Sequence, residues 1–513
     1  MARNDQTSRR HFFFGSLLAG AVPLGGFGTV PSLKAMGYKP YSNKLRVAAI
    51  GCGGQGGTIL NQAAQTETLV AMCDVDEKRA GENFAKYSTL PKYKDYREML
   101  DKEGKNIDAC TIGIPDHMHA SVALECMRRG KHVYVEKPLT RTPWEARLLQ
   151  DAAVKYKVAT QMGNQGYSHE SIRVAAEIIW SGEIGDVTEV HASSTPGTHP
   201  TGMTELPRET SSPAELDWKL WLGGAAMRPY ASEYTPYNWR GFFDFGTGQI
   251  GNWGIHTMGP VNLALQLGAP TSVELVRSEK TSKFSFPERC VIRFEFPSRG
   301  SMPPVTVYWH DSARPEEAEA YRAPGMEMET ILPAGNNLVD KGRGTRGAGA
   351  GGGGGGGKKG GGAAMTAVRQ GAGGPGVPVY GDRRFGVGNQ PGVLSGNGAV
   401  FVGEKGLMAT VDRGEGVHLL PAARWKDYSL PAPLLLRSPG HMRDWVRACK
   451  GGEQSVSDFR IAGPYTEWML LGVIAMRAPG KLLWDSKTMR FTNSVEANKY
   501  VRPAFRPGWE LKL

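Results

Sequence analysis

The stretch Ile107 to Leu139, IDACTIGIPDHMHASVALECMRRGKHVYVEKPL, decides the fold. Its apolar run Ala109 to Ile114 has the length of a buried strand and stops at Pro115-Asp116. Helical spacing then carries Val122, Ala123 and Met127 as far as Gly130, and His132 to Val135 restart a strand. Strand, helix and strand in that order make one βαβ step of a parallel sheet. Ligands of such sheets lie beyond the carboxyl ends of the strands. His117, His119, Glu136 and Lys137 are therefore expected at one edge, and a lysine there gains a chemical role only beside a cofactor.

The cofactor signal lies upstream. Lys44 to Ile50 reads as an apolar strand running into Gly51-Cys52-Gly53-Gly54-Gln55-Gly56-Gly57, with a helix predicted from about Thr58 to Gln65. Gly51, Gly53 and Gly56 match G-x-G-x-x-G, which supplies a tight turn, a close backbone approach to a pyrophosphate and a helix N-terminus aimed at its charge. The next strand, Thr68 to Cys73, ends at Asp74, where a carboxylate can accept both hydroxyls of a ribose. An acid there repels a 2′-phosphate and favours NAD, while the nearby Arg79 blunts that preference and leaves NADP open. Predicted helices at Arg79 to Tyr87, Tyr93 to Leu100 and Trp144 to Tyr156, and a strand at Val158 to Met162, complete a doubly wound parallel sheet over residues 44–163.

A chain of 513 residues is too long for one ordinary core and implies two domains with irregular additions. The net charge of +11 is concentrated. Six cations without an acid lie between Lys341 and Arg369, and the first 35 residues carry four cations against Asp5. The rest of the chain is close to neutral, which excludes a nucleic-acid surface as a partner site. The six cysteines are scattered with no C-x-x-C pair, so neither a disulfide framework nor a metal site is predicted. From 336 to 379 a glycine-rich tract with spaced cations cannot build a core and reads as a disordered surface insertion, with a polyanion-binding arm as the sharper alternative. Ser8-Arg9-Arg10-His11-Phe12-Phe13-Phe14 precedes a Gly- and Ala-rich run too short and too glycine-broken to span a membrane. It resembles a twin-arginine export signal over residues 1–35, cleaved near Ala35, which implies a periplasmic or otherwise exported protein with no membrane span after cleavage.

A set of motifs in fixed order carries a family resemblance. The glycine loop, Cys73-Asp74-Val75-Asp76, Pro115-Asp116-His117-Met118-His119, Glu136-Lys137-Pro138, Gly163-Asn164-Gln165-Gly166 and Gly182-Glu183-Ile184-Gly185 resemble the Gfo/Idh/MocA oxidoreductases, and more closely their exported, twin-arginine-bearing bacterial branch. The similarity continues through Leu216 to Gly223, Tyr237 to Gly241, Gly251 to Pro260 and Gly440 to Trp445. The resemblance implies an α/β chain with an N-terminal Rossmann-type domain. A second α/β domain (164–495) follows, with a large, mostly antiparallel open sheet that carries the substrate pocket and makes homo-oligomer contacts, and then a tail (496–513). Strands read at Val187 to Ser193, Ser272 to Ser278, Cys290 to Phe296, Pro304 to His310 and Gly398 to Val402 agree with it. It further implies cofactor contacts from Gly51, Gly53, Gly54, Gln55, Gly56, Asp74, Arg79, Ile114, Pro115, His119, Glu136, Lys137 and Asn164.

In that family the lysine of Glu-Lys-Pro and a downstream Asp-x-x-x-His pair converge on the reacting hydroxyl, and they map here onto Lys137, Asn252 and His256. A desolvated lysine beside a cofactor can serve as an acid/base group, and histidine is poised for the same work. Asn252 stands where an aspartate is usual. Its amide oxygen can hold the imidazole but brings no charge, so His256 is expected to be a weaker base and Lys137 to carry more of the proton transfer. Tyr167, His169, His199, Trp239 and Arg240 are the expected substrate-side groups, since a sugar cleft needs aromatic faces and several donors. The expected function is an exported NAD(P)-dependent oxidoreductase acting on a hydroxyl of a sugar, glycoside or polyol. The alternative is an NAD-dependent glycoside hydrolase or lyase that oxidises C3 transiently, eliminates and restores its cofactor, and His256 to Val261 loosely resembles a run of such enzymes. A sugar-binding protein with a decayed catalytic pair is the non-enzymatic alternative.

Overall fold

The computed structural model describes residues 32–38, 43–312, 397–425 and 427–513. The Arg9-Arg10 pair and the glycine-rich insertion 336–379 lie outside the described residues. Six parallel strands form the first sheet: β1 (Arg46–Ile50), β2 (Thr68–Cys73), β3 (Lys92–Tyr93), β4 (Ala109–Ile112), β5 (His132–Val135) and β6 (Thr160–Met162). Their order is β3-β2-β1-β4-β5-β6. Strand order reverses at β1, where Ile50 pairs with Cys73 on one side and with Ile112 on the other. Gly51, Asp74 and Gly113 therefore emerge together at the carboxyl edge, the position where such sheets bind ligands.

Helices α1 (Gly54–Ala64), α2 (Glu77–Lys86), α3 (Tyr96–Glu103), α4 (Asp116–Arg128) and α5 (Pro143–Tyr156) connect the strands. Two of them start earlier than their periodicity suggests. The first turn of α1 is glycine, and the first turn of α4 is Asp116, His117, Met118 and His119, so neither opens with the apolar spacing that betrays a helix. Tyr93 belongs to a strand rather than to the predicted helix, because Asp95 accepts from Arg97 N and starts α3 only after it.

Among the described residues the second sheet has nine strands in the order β13-β12-β11-β7-β10-β9-β8-β14-β15. They are β7 (Val187–Ser193), β8 (Ser272–Glu279), β9 (Arg289–Phe296), β10 (Val305–Asp311), β11 (Gly398–Gly403), β12 (Gly406–Val411), β13 (Gly416–Leu420), β14 (Lys481–Asp485) and β15 (Arg490–Phe491). Among these described strands only β7 and β10 pair in parallel. The last four strands were not predicted, being short and lying next to glycine or charge-rich turns that hide their alternation.

One apolar core joins the two sheets. The helix Phe459–Ala475 places Trp468 edge-on to Phe294 and Phe296 at 5.2 and 5.3 Å, while Arg147 on α5 binds Glu467 through two hydrogen bonds of 2.8 and 2.9 Å. Residues from the same part of the chain cover the edge strand β6: His441 Nε2 bonds to Met162 O at 2.8 Å and Thr160 Oγ1 donates to Asp458 at 2.9 Å. Leu33, within the expected export segment, is wholly buried and donates its N–H to Gly452 O at 2.7 Å. Residues 496–513, expected as a tail, are packed: Phe505 lies edge-on to Trp144 and Leu511 is buried. All six cysteines are buried and free.

Candidate active site

A cavity of about 430 Å³ opens at the carboxyl edge of the parallel sheet and is walled on its far side by the second domain. Its floor is the glycine loop. Gly51 takes φ +84°, and a Cβ on Gly56 would meet Gly113 O at 2.7 Å and Gly51 O closer still. The three glycines thus allow α1 to approach the strand ends more closely than any side chain permits. The N-cap of α1 is Gly53, with no side-chain cap and no acid in the first turn, so its free N–H groups and positive dipole end are left for an anion. At the end of β2, Asp74 accepts from Cys52 N at 2.7 Å and from Asp76 N at 3.0 Å. Burial raises its pKa and those two N–H bonds oppose the rise. Each carboxylate oxygen keeps lone pairs for a second donor. The glycine cradle, the uncapped helix start and Asp74 fit the pyrophosphate and ribose of a dinucleotide. Arg79 lines the same wall with its guanidinium against Gly54.

Toward the other end, the strand β5 delivers Glu136 and Lys137. Glu136 is buried and its Oε1 accepts from Gln55 Nε2 at 3.1 Å and Gln165 Nε2 at 3.0 Å, tying α1, β5 and the turn after β6 into one corner. Lys137 Nζ donates to Asn252 O at 2.9 Å and to Asn252 Oδ1 at 2.8 Å. Burial, followed by the Arg240 cation, lowers the Lys137 pKa to about 8. Asn252 lies in a π-helical turn, Ile250–Gly254, of the kind often found at functional sites. Its Nδ2 donates to Gln249 Oε1 at 3.0 Å, and Gln249 in turn donates to Thr195 O at 2.7 Å.

This corrects one expectation. Asn252 does not hold the imidazole: its amide oxygen is occupied by Lys137 and its nitrogen by Gln249. His256 is buried, its Nδ1 has no partner among the described residues, and it lines the cavity, so Nε2 is the nitrogen available to a substrate. Burial, then the Lys137 and Arg413 cations, hold its pKa well below the usual value, so the ring is neutral at neutral pH. Its weak basicity therefore follows from desolvation and neighbouring cations more than from a missing aspartate.

The cavity also takes Gln55, Ile114, Pro115, Trp239 and Arg240 from the predicted set. Arg240 is stacked 4.2 Å from the centroids of both Tyr237 and Trp239. Six predicted residues do not line it, the first being Gly54, which sits behind the Arg79 guanidinium. His119 bonds through Nδ1 to Pro138 O and through Nε2 to Ile114 O, both at 2.8 Å, and so braces the two loops that carry Lys137 and Pro115. Asn164 is buried beside that corner with neither amide atom partnered among the described residues. Tyr167 is a core residue, its hydroxyl bonded to Asn262 Nδ2 at 3.1 Å. His169 stands at the N-cap of the helix Glu170–Trp180. His199 is buried, its ring packed against Gly197, and burial lowers its pKa to about 4. His117 is likewise turned away, bonding to Trp221 O at 2.9 Å between Trp221 and Phe245. A Tyr167→Phe variant is expected to keep KM and kcat while losing about 1 kcal/mol of stability. Chemical denaturation alongside steady-state kinetics checks it.

Several lining residues were missed. Gln165 lies inside the motif Gly163 to Gly166, whose spacing marks no role for it. Arg413, with Trp253 at 5.7 Å from its guanidinium, reaches the cavity from the β12–β13 hairpin, where no local motif marks it. Asp116 faces the same space and accepts from Thr247 Oγ1 at 2.6 Å.

Residues 45–164 match the family model described as the oxidoreductase family, NAD-binding Rossmann fold, GFO_IDH_MocA, and residues 174–283 match that of the family's C-terminal alpha/beta domain. An inositol 2-dehydrogenase from Rubrobacter xylanophilus is 31% identical over 149 residues, covering 28% of this chain and 42% of the relative. An alpha-N-acetylgalactosaminidase from Shewanella oneidensis is 31% identical over 193 residues, covering 32% of this chain and 41% of the relative. The chain thus spans less than half the length of either. The fold is similar to that of the WlbA dehydrogenase from Bordetella pertussis, solved with NADH and UDP-GlcNAcA: TM-score 0.52, 13% identity, 86% of this chain and 99% of that one.

Proposed function

We propose that this chain, which matches the NAD-binding and C-terminal domain models of the Gfo/Idh/MocA oxidoreductase family over residues 45–164 and 174–283, oxidises a hydroxyl of a sugar, glycoside or polyol in the cavity between its two domains. The observation that carries the reading is Lys137: a partly buried amine with a pKa near 8, held by a neutral acceptor at the mouth of a dinucleotide cradle. NAD, when bound, supplies the hydride acceptor. Lys137 takes the hydroxyl proton, Asn252 aims its amine, and neutral His256 offers Nε2 to the same substrate oxygen. Trp239, Tyr237 and Trp253 supply aromatic faces, and Arg240 and Arg413 supply donors, as a polyhydroxylated ligand requires. Asp74 supports NAD over NADP, with Arg79 as the group that would admit a 2′-phosphate.

A redox-neutral glycoside cleavage is the second reading, supported by the similarity to the Shewanella galactosaminidase. Incubation of the purified protein with polyols and aryl glycosides, following NADH absorbance and aglycone release together, separates the two. Net NADH with a polyol or sugar is the expected result. Aglycone release without net NADH favours the second reading, and neither signal across the panel rejects both.

Export of the folded protein by the twin-arginine route belongs to this reading, supported by Arg9-Arg10 ahead of Phe12 to Phe14. Processing before Ser32 would keep the buried Leu33 turn, whereas processing at Ala35 would remove it. Self-association through the nine-stranded sheet is supported by apolar Val276 and Leu483, 51% and 42% exposed. Among the described residues no helix is long and apolar enough to cross a membrane.

A further inference from the structure

The cavity continues past Asp74, away from Lys137, and there its walls come from segments distant in sequence. The turn after β2 pairs with the second domain: Asp217 N donates to Val75 O at 2.9 Å and Glu77 N to Glu215 O at 3.2 Å. The same segment then takes up residues 505–509. Arg506 N donates to Gly224 O at 3.0 Å, its guanidinium donates to Lys219 O at 3.3 Å, and Trp509 N donates to Arg506 O at 3.0 Å. Trp509 lines the cavity beside Tyr96, and the Arg97 guanidinium lies 4.5 Å from its ring centroid. Arg97 is itself fixed by Asp95, with Nη2 at 2.6 Å and Nε at 3.0 Å. That brings the wall back to the nucleotide domain, one strand from Asp74, since Cys73 pairs with Tyr93.

From this closed ring of contacts we propose that Trp509 is an adenine contact of the bound dinucleotide, and that residues 215–224 and 505–509 form a collar that slows nucleotide release. The proposal rests on dinucleotide binding in this cavity and adds residues that neither the glycine motif nor Asp74 predicts. With the ribose held at Asp74 and the pyrophosphate on α1, the base has to lie beyond Asp74, within this ring. Every base offers a flat π face, and an indole fixed by a hydrogen-bonded turn, with the Arg97 and Arg506 guanidinium groups 4.5 and 5.5 Å from its centroid, presents a pre-oriented partner for it. Release of the base then requires the hydrogen bonds between the two domains to part.

The test is calorimetric titration of the full chain with ADP-ribose and, separately, with nicotinamide mononucleotide, together with stopped-flow displacement of ADP-ribose. Trp509→Ala is expected to weaken ADP-ribose by about tenfold and speed its release, Trp509→Phe to stay closer to the unsubstituted protein, and both to bind nicotinamide mononucleotide normally. The proposal is overturned if Trp509→Ala binds ADP-ribose within twofold of the unsubstituted protein. It is equally overturned if the alanine and phenylalanine variants lose both ligands alike, which marks a purely structural residue. An unsubstituted protein that binds neither ligand would instead reject the dinucleotide reading of the cavity, and this proposal with it.

Discussion

Replacing Lys137 by methionine is expected to lower kcat for hydroxyl oxidation by about a thousandfold while leaving dinucleotide affinity nearly unchanged, because proton transfer by a positioned side chain contributes on that order. Methionine keeps the length and the packing of the stem but has no proton to exchange. Arginine should not rescue the loss, since a guanidinium stays protonated throughout the accessible range. The pH profile gives an independent readout. The active form of Lys137 in the oxidative direction is the neutral amine, and burial with the Arg240 cation places its pKa at about 8. The rate of oxidation should therefore rise as pH increases through about 8 and level off above it, while the reverse reduction, which needs the ammonium, should fall over the same interval. Asn252→Asp sharpens the test. A carboxylate at the atom that accepts from Nζ at 2.8 Å would stabilise the ammonium, raise the lysine pKa and move the limb to higher pH. On this geometry asparagine is the fitting partner, for it orients the amine without trapping its proton. An unmoved limb in Asn252→Asp, or a Lys137→Met variant with near-normal kcat, would sink the assignment.

What could be read from the chain alone was what is local to it. The glycine loop, Asp74 about twenty residues on and the Glu136-Lys137 strand end each announce themselves by spacing within one βαβ unit, and the structure brings all three to one cavity. Tyr167 and His199 could not be read in this way. An aromatic or histidine in a motif-rich stretch looks the same whether it faces a ligand or the core, and only the contact with Asn262 or with Gly197 decides. Arg413 and Trp509 show the converse. Each reaches the cavity by through-space placement, one on a hairpin of the second sheet and the other from residues read as a tail, and no periodicity encodes that. The partner of Asn252 was misassigned for a related reason. The family pattern pairs positions 252 and 256, but the chain there makes a π turn and Lys137 arrives from another domain to take the amide oxygen.

The second large effect concerns a contact with no side chain in it. Gly113 stands inside the opening stretch, where it reads as part of an apolar run, yet it is the third member of the cradle: a Cβ on Gly56 would meet its carbonyl oxygen at 2.7 Å, and the Gly51 carbonyl carbon at 2.8 Å. Those neighbours are backbone atoms fixed by the pairing of β1 with β2 and β4, so they cannot give way as a flexible side chain would. Gly56→Ala must instead push the start of α1 away from the strand ends. The N–H groups that would cradle the pyrophosphate move with it, and affinity for NAD is expected to fall by at least about a hundredfold, with stability lowered by about 1–3 kcal/mol from overpacking. Gly81, in α2 with open space where a Cβ would stand, provides the control: Gly81→Ala should leave NAD binding alone and raise stability by about 0.5–1 kcal/mol, the helix-propensity gain. Calorimetric titration with NAD and denaturant unfolding of both variants make the comparison. If Gly56→Ala bound NAD as the unsubstituted protein does, the cradle would not be where the pyrophosphate rests, and the placement of Lys137 at the reacting end of the cavity would lose its anchor.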